Sequence, residues 1–327
     1  MIELLTPFEG QIVSLHRKEH LDYIREPKNT AASDVDWLRL KESGADLSYP
    51  PVVTFSCSPA GQGELLLTHP GGEVTCHAVK DGQAEIGNLK IGATYRWQVC
   101  IDGACSEVRS FQTSDVPPRL LRVDGITNVR DFGGFSTADG KRIRQGLLYR
   151  TSEMDTHAEI TDAGRATLAA LGIRTDLDIR GCNDEHRAPV LDEAMTEWVN
   201  IPMVAYDKLF SSEAFIKAYG EGYALLADKA RYPMIVHCWG GIDRTGCWLF
   251  ILGGMLGVPE EQLFLDYEFS SFSRWGRRSR YSDQFRAFYD GLMTYGDTLQ
   301  EACRRFMLAA GVTEAKMEQI QSILTEI

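Results

Sequence analysis

Cys238 and Arg244 are the two residues whose type and spacing best suit chemistry in this chain of 327 residues. They lie in the segment His237–Gly246, here called the central loop, which reads His-Cys-Trp-Gly-Gly-Ile-Asp-Arg-Thr-Gly. A cysteine thiolate is a strong nucleophile, and the planar guanidinium of arginine can bind two oxygens of one phosphoryl group. The pair therefore predicts attack on a phosphate-like dianion, whereas a lone cysteine would more often be buried and inert.

The elements on either side of the central loop explain how it binds an anion. An apolar run at 233–236 predicts a buried strand, and a second run at 247–252 predicts a buried helix. A loop that enters a helix N-terminus points backbone N–H groups into one concavity, where the helix dipole adds positive charge. The predicted phosphate-binding residues are Trp239, Gly240, Gly241, Ile242 and Thr245.

The composition restricts the class of protein. A length of 327 residues suggests two domains, and 44% hydrophobic with 24% charged residues is typical of a globular protein with a substantial core. The formal net charge of -12 argues against a nucleic-acid or anionic-membrane partner, since those partners require a basic surface. The start of the chain lacks a secretory leader and no apolar stretch is long enough to span a bilayer, so the expected location is cytoplasmic. A secreted form whose leader has been removed is the alternative.

The eight cysteines show no metal-binding spacing, and no metal or cofactor is expected. Cys100 and Cys105 bracket a predicted hairpin tip, which would allow a cross-strand disulfide. We favour free thiols, because a reactive Cys238 suits a reducing compartment.

Short β-branched and aromatic runs between turn residues predict a small all-β sandwich in the first domain. These runs are 52–56, 63–68, 73–77, 95–100 and 108–113. Within them, Leu89–Val99 resembles the fibronectin type III signature, which implies a spacer or a module that docks a protein partner; an unrelated sandwich is the alternative. A short helix or irregular cover is expected at 31–41. Two prolines in 114–119 mark a linker, so the predicted domains are 1–116 and 117–327.

The second domain is predicted to be α/β, with a mainly parallel sheet and a helical C-terminal cap. Strands are expected at 147–150, 173–180, 197–201 and 233–236, with helices at 161–171 and 212–228 between them. Only helices follow the central loop, and they are expected near 259–272, 283–293, 299–310 and 313–324.

The central loop carries a resemblance to a known family. His237, Cys238 and Arg244–Gly246 match the His-Cys, five residues, Arg-Ser/Thr-Gly signature of cysteine-dependent protein tyrosine phosphatases. Further segments extend the resemblance over about 120–325, to bacterial tyrosine phosphatases related to the secreted mycobacterial enzyme. They are 128–134, 149–153, 172–180, 257–259 and 266–267. The resemblance implies metal-independent hydrolysis of phosphotyrosine, and in some members of phosphoserine, phosphothreonine or phosphoinositides. Ile242 replaces the subgroup's loop lysine, which weakens the case for phosphoinositides.

A leaving phenolate needs a proton, so a general acid is expected opposite the thiolate. Asp243 is the first candidate because it lies in the central loop and because the resemblance implies an acid there; a carboxylate bonded to loop amides is the alternative. Asp178, at a predicted strand end, is the second candidate, with a salt bridge to Arg180 as its alternative. Asp131 is interpreted as structural, and His237 as a residue that orients the loop.

A basic run stands out in this acidic chain, and it contains Arg274, Arg277, Arg278 and Arg280. We predict that Arg274, Arg277 and Arg278 form a substrate-docking rim, with Trp275 or Tyr281 stacking on the ligand. A solvated face is the alternative.

The sequence therefore predicts a cysteine-dependent phosphatase acting on phosphorylated protein or peptide, behind a β-sandwich domain. A phosphoinositide or inositol phosphate phosphatase is the second hypothesis. A phosphate-binding interaction module without turnover is the third.

Overall fold

The structure, a computed structural model, describes residues 2–25, 43, 45–181 and 188–327. The described residues of Met1–Leu21 and Pro50–Leu120 form one compact unit, and those of Asp22–Tyr49 and Leu121–Ile327 form a second. The helix expected at 31–41 lies outside the described residues.

The first unit is built from short strands, and each of the five predicted β runs overlaps one of them. The strands are β1 (Glu3–Thr6), β2 (Gln11–Val13), β3 (Val53–Ser58), β4 (Gly63–Thr68), β5 (Val74–Val79), β6 (Gln83–Ile86), β7 (Thr94–Ile101), β8 (Ala104–Cys105), β9 (Arg109–Thr113) and β10 (Arg119–Leu120). Helix α1 spans Lys18–Arg25. One sheet has the order β1-β3-β6, and the other has β2-β9-β7-β4-β5 with β8 on β7.

The two sheets of the first unit share one hydrophobic core. Alternate residues of each strand point inward, as the two-residue repeat of a strand requires. Phe55 of one sheet packs edge-on against Trp97 and Phe111 of the other, with ring centroids 5.0 Å and 5.5 Å apart. This arrangement is a β-sandwich.

Cys100 and Cys105 form a disulfide, so the expectation of free thiols at this pair is wrong. The two cysteines are directly paired residues of the antiparallel strands β7 and β8. Directly paired residues on antiparallel strands have Cβ atoms close enough for a disulfide. Here the short turn between β7 and β8 brings the two cysteines together.

The second unit is α/β, as predicted. Its strands are β11 (Arg130–Asp131), β12 (Arg142–Ile143), β13 (Leu148–Thr151), β14 (Thr175–Asp178), β15 (Glu197–Asn200), β16 (Met234–His237) and β17 (Thr325–Glu326). Its helices are α2 (Asp162–Ala170), α3 (Glu213–Leu225), α4 (Asp243–Met255), α5 (Glu260–Phe269), α6 (Asp283–Met293), α7 (Leu299–Ala309) and α8 (Glu314–Leu324). Short 3₁₀ turns cover Tyr206–Ser211, Lys229–Arg231 and Ser270–Phe272.

In the main sheet of this unit, β16 lies between β13 and β14, within the run β11-β13-β16-β14-β15. Strand β16 is parallel to both β13 and β14, while β11 and β13 are antiparallel. Along β16, Met234 and Val236 enter one hydrophobic cluster and Ile235 enters another. Both faces of the sheet are therefore covered, which explains why this strand appears in the sequence as a continuous apolar run.

Helices α6 and α8, which follow the central loop, begin at capping residues. Thr313 accepts a hydrogen bond from the Lys316 amide at 3.3 Å, and Ser282 accepts one from the Phe285 amide at 3.3 Å. The predicted helix at 283–293 has the bounds of α6. In the part of the chain that the structure describes, no helix combines the length and apolarity needed to cross a membrane.

Candidate active site

The central loop lies between β16 and α4, at the carboxyl ends of the parallel strands. His237, the last residue of β16, is in register with Thr151 of β13 and Asp178 of β14. Cys238 follows and is only 3% exposed. Gly241 adopts a φ of 63°, and a Cβ atom there would lie 1.9 Å from the Thr151 carbonyl oxygen. Only glycine fits this turn, because a side chain would be strained and would collide with β13.

The back of the loop is held through its carbonyl groups. The Asn128 side-chain amide donates to the carbonyl oxygens of Gly240 at 3.1 Å and Gly241 at 3.0 Å. The Arg150 guanidinium donates to the same Gly241 oxygen at 2.6 Å. Because the donors lie behind the loop and occupy its carbonyls, the backbone N–H groups are left to face the opposite side.

Two buried arginines share one carboxylate beneath these contacts. Asp266 on α5 pairs with Arg130 at 3.0 Å and also with Arg150, and Arg130 donates to the Asn128 side chain. Burial raises the pKa of Asp266, but Arg150 and Arg130 lower it to a greater extent, so the carboxyl group is ionised. We call Asn128, Arg130, Arg150 and Asp266 the anchor cluster.

The environment of Cys238 favours the thiolate. Burial alone raises the pKa of a thiol, but the charge of Arg244 and the hydroxyl and amide of Thr245 outweigh it, and the pKa of Cys238 is lowered. The thiol also stands just before α4, where the helix dipole favours negative charge. The buried Cys238 thiol therefore lies in a positively polarised turn that favours the thiolate.

His237 precedes Cys238, and its surroundings favour the charged imidazolium. Its Nε2 atom is 3.0 Å from a carboxylate oxygen of Asp176, and its Nδ1 atom is 3.2 Å from the Cys238 carbonyl oxygen. Burial lowers the pKa of His237, but Asp176 and Asp178 raise it to about 9. The contact of His237 with the Cys238 carbonyl is the kind that the predicted orienting role requires. Its ion pair with Asp176 was not indicated by the sequence.

Asp243, the first residue of α4, is bound on its outer side. Arg278 approaches it through both nitrogens, with Nε–Oδ1 at 2.7 Å and Nη2–Oδ2 at 3.1 Å, and the Tyr206 hydroxyl donates to Oδ1. The carboxylate is 34% exposed and the guanidinium 27% exposed. We call Tyr206, Asp243 and Arg278 the rim cluster. The partners observed for Asp243 are these two side chains, in place of the loop amides considered as an alternative.

Asp178 is sealed from the loop's open face. Its carboxylate is fully buried and pairs with Arg180 at 2.9 Å, and that arginine also binds Asp155 and Glu153. Burial raises the pKa of Asp178, but the charge of His237 and the hydrogen bonds and charge of Arg180 lower it by more, so the pKa is lowered overall. The salt bridge expected as the alternative for Asp178 is therefore present. Asp131 accepts hydrogen bonds from the amides of Gly133 and Gly146, in line with its interpretation as structural.

The basic run does not form one continuous surface. Arg274 and Arg277 are exposed, and Arg278 is the partner of Asp243. Arg280 is buried and binds Glu268 at 2.7 Å, so the solvated-face alternative does not hold for it. The Arg274 guanidinium stacks over Trp275, 4.9 Å from the ring centroid.

Aromatic side chains flank the cysteine. The ring centroids of Trp239 and Trp275 are 5.1 Å apart, and Trp239 donates to a His157 ring nitrogen at 2.7 Å. A cavity of about 310 Å³, the loop pocket, opens onto the cysteine. It is lined by Cys238, Trp239, Gly240, Ile242, Asp243, Arg244, Trp275 and Arg278. The sequence predicted all of these as site residues, Trp275 as one of two candidates for stacking on the ligand.

A second cavity, the side groove, adjoins the loop pocket and has a volume of about 690 Å³. It shares Asp243 and Arg244 with the loop pocket; its other lining residues are Gly181, Pro202, Met203, Val204, Ala205, Tyr206, Asp207, Lys208, Phe215 and Gln284. Tyr206 has a φ of 59°, a left-handed conformation that is unusual for a tyrosine. Sequence reasoning missed Tyr206, since it stands outside the motif and only the fold brings it to Asp243.

Comparison with known proteins gives a match to the family model described as "Tyrosine phosphatase family", over residues 121–326. A putative tyrosine-protein phosphatase of Cupriavidus necator is 29% identical over 171 residues, covering 45% of this chain and 61% of that protein. A tyrosine-protein phosphatase of Nostoc commune is 26% identical, covering 37% of this chain and 47% of that protein. The triple specificity protein phosphatase PtpB of Mycobacterium tuberculosis is 26% identical, covering 52% of this chain and 76% of that protein. The chain thus spans under two thirds of the length of the first two relatives.

Among solved structures, the P. aeruginosa protein TpbA is similar with a TM-score of 0.36 and 18% identity, covering 52% of this chain and 90% of that one. The catalytic domain of the PP-IP phosphatase SIW14 from S. cerevisiae has a TM-score of 0.32 and 15% identity, covering 45% of this chain and 84% of that one.

Proposed function

We propose, since the chain belongs to the tyrosine phosphatase family, that it hydrolyses phosphotyrosine in proteins or peptides through a phosphocysteine on Cys238. The observation that carries the proposal is that Cys238 and Arg244 line one pocket at the N-terminus of α4, where the charge of Arg244 lowers the pKa of the thiol. A buried cysteine kept only for packing would have a raised pKa, as burial produces for Cys303 in the same core. The site is therefore suited to a nucleophile.

In the proposed first step, the Cys238 sulfur attacks phosphorus while the bond from phosphorus to the tyrosine oxygen breaks. The leaving phenolate takes a proton from the Asp243 carboxyl group, and Arg244 binds two phosphoryl oxygens throughout. The loop amides add neutral donors to the same oxygens. The products are free tyrosine hydroxyl and a phosphocysteine.

In the second step, Asp243 accepts a proton from a water molecule as the water oxygen attacks phosphorus. The sulfur–phosphorus bond breaks, phosphate leaves, and the thiolate returns, stabilised by Thr245. Asp243 lines the loop pocket, which supports its assignment as the group that exchanges protons with the leaving oxygen and with water. Asp178 is less suited to this role, because its carboxylate is fully buried against Arg180.

The direct test is Cys238→Ser, which should abolish phosphate release from 4-nitrophenyl phosphate and from a phosphotyrosine peptide. The matched control is Cys76→Ser, because Cys76 is exposed and lies in the first unit. Turnover by the wild type should be unchanged in the presence of EDTA, since no metal takes part. Turnover retained in the Cys238 variant would contradict the proposal.

Comparing substrates separates this proposal from the other two hypotheses. Ile242 is 2% exposed and brings no cation to the loop pocket, which supports phosphotyrosine over polyphosphorylated inositol rings. A higher kcat/KM for a phosphoinositide than for a phosphotyrosine peptide would reverse that preference. Absence of turnover on every substrate, with phosphate still bound, would favour the silent module.

We further propose that 1–116 is a fibronectin type III-like domain that docks a protein partner, and that 117–327 is the catalytic domain. The sandwich and the burial of Tyr95 and Trp97, at 1% exposure each, support the first assignment. The boundary is tested with a chain that begins at residue 117 and therefore lacks Asp22–Tyr49, which groups with the second unit. Turnover of 4-nitrophenyl phosphate equal to that of the full chain would support the proposed boundary. Loss of folding in that chain would place the boundary elsewhere.

A further inference from the structure

The side groove borders the loop pocket, and the two cavities differ in chemistry. Asp243 and Arg244 line both cavities, so the side groove begins at residues that also bound the pocket around Cys238. The loop pocket, at about 310 Å³, holds the cysteine and the phosphate-binding turn. The groove, at about 690 Å³, falls in the range of ligand sites and is too large for a phosphoryl group alone.

One wall of the side groove is apolar. Pro202, Met203, Val204, Ala205 and the ring of Tyr206 come from one continuous segment, and Phe215 of α3 lies beside them. The charged lining residues balance, since Lys208 and Arg244 are matched by Asp207 and Asp243. A polyphosphorylated ligand would need several unmatched cations, whereas an aliphatic or aromatic side chain needs an apolar wall.

The apolar segment is fixed by the fold. The Val204 carbonyl oxygen accepts a hydrogen bond from the buried Tyr219 hydroxyl at 2.7 Å, and the Met203 amide donates to the Ile179 carbonyl at 3.3 Å. At the end of the segment, the Tyr206 amide donates to the Cys247 sulfur at 3.5 Å. A wall that is already ordered binds a side chain without the entropic cost of forming the site.

From these observations we infer that the side groove is a specificity site for a large apolar side chain next to the phosphotyrosine of a peptide substrate. The inference rests on the proposed function, because it assumes that a phosphotyrosine occupies the loop pocket. It narrows the substrate class to peptides whose flanking residues are aliphatic or aromatic.

The experiment compares two phosphotyrosine peptides of equal length whose flanking residues are both leucine or both serine. Wild-type kcat/KM is expected to favour the leucine peptide by tenfold or more, which corresponds to about 1.4 kcal/mol. Serine is the neutral comparison, so the ratio reports apolar contact and not charge. A ratio near one would overturn the inference, as would a higher kcat/KM for a soluble inositol phosphate than for the leucine peptide.

Variants of the apolar wall test whether the preference for the leucine peptide arises in the side groove. Val204→Asp places a carboxylate in the apolar wall and should bring the leucine-to-serine ratio close to one; Phe215→Ala removes wall surface without adding charge and should lower the same ratio. Met195→Asp is the control, because Met195 is an apolar residue with 72% exposure that does not line the side groove. It should keep the wild-type ratio. A ratio that survives both wall variants would overturn the inference.

Turnover of 4-nitrophenyl phosphate, which has no flanking residue, distinguishes failure of the specificity site from failure of the proposed function. If the wild type hydrolyses it but shows no peptide preference, the specificity site is wrong and the proposed function stands. If the wild type does not hydrolyse it, the proposed function fails and the specificity site fails with it.

Discussion

The two sides of the central loop each use an arginine–aspartate pair, but in opposite surroundings. In the anchor cluster, the Arg150–Asp266 pair is 0% and 5% exposed; in the rim cluster, the Arg278–Asp243 pair is 27% and 34% exposed. Burial makes the first pair costly to break, since a single remaining charge would be left without water. The second pair is partly solvated and can rearrange at low cost, which suits a residue that must exchange protons with a substrate.

The comparison indicates that the anchor cluster stabilises the conformation of the central loop, whereas the rim cluster supplies side chains to the two cavities. The anchor cluster contacts loop carbonyls, the Ser270 hydroxyl and its own members, and none of its side chains lines the loop pocket. The rim cluster lines the cavities directly. Variants on the two sides should therefore separate stability from turnover.

The largest effect is expected for Arg150→Met. The change removes one of the two cations on buried Asp266 and a donor to the Gly241 carbonyl, so the free energy of unfolding should fall by about 3–5 kcal/mol. Urea denaturation followed by tryptophan fluorescence measures it. The matched control is exposed Arg277→Met, which should change stability by no more than about 0.5 kcal/mol. Equal effects of the two variants would contradict the assignment of Arg150 as an anchor.

Asp243→Asn tests the rim. Loss of the proton donor should lower kcat on a phosphotyrosine peptide by about 10²- to 10⁴-fold and remove the basic limb of the pH profile. The free energy of unfolding should change by no more than about 1 kcal/mol, since the pair is partly exposed. The comparison variant is Asp178→Asn, which disrupts a buried pair and is expected to lose stability while its pH profile keeps its shape. The reverse pattern would make Asp178 the acid.

His237→Gln tests how the charge of the buried His237 contributes to the pH dependence of the free energy of unfolding. The pKa of His237 in the folded chain, about 9, lies above its ordinary value of 6.5, so the charged imidazolium stabilises the fold. That contribution is complete below about pH 6.5 and is lost as the pH rises through 9, at up to about 1.4 kcal/mol for each pKa unit of the shift. Unfolding measured between pH 6 and 9.5 should show this decline in the wild type and a flatter curve in the variant. Parallel curves would show that His237 is not charged in the fold.

The smallest effect is expected for Arg278→Met. Without its two hydrogen bonds to Asp243 the carboxylate loses its orientation, and kcat/KM should fall by about tenfold, the order expected for hydrogen bonds to a charged group. Thermal stability should stay near that of the wild type. Arg277→Met again serves as the control, and an equal loss of kcat/KM in that variant would point to general charge attraction at the surface.

Much of the second unit could be predicted from local sequence. The strand before Cys238 is recognisable as an apolar run because both faces of its sheet are covered, and the helix at 283–293 begins where Ser282 caps it. The spacing from Cys238 to Arg244 placed both in one turn at a helix N-terminus. These features depend on neighbours within about ten residues, which the sequence displays directly.

The arginine–aspartate pairs around the site could not be predicted from local sequence, because their members are far apart in the chain. Arg150 meets Asp266 across 116 positions and Arg278 meets Asp243 across 35, while Arg274 to Arg280 are adjacent in sequence yet differ in exposure and partners. The sequence favoured free thiols at Cys100 and Cys105, whereas strand register produced a disulfide.

By itself, the sequence of this protein determined the strand and the helix that carry the proposed nucleophile Cys238 and its partner Arg244, because strand and helix periodicity and the motif spacing are local. Only the tertiary structure decided which carboxylate faces the pocket and which is sealed behind it. The reason is physical: Asp178 and Asp243 are the same chemical group, and their difference comes from the burial and the arginine partners that the fold gives to each.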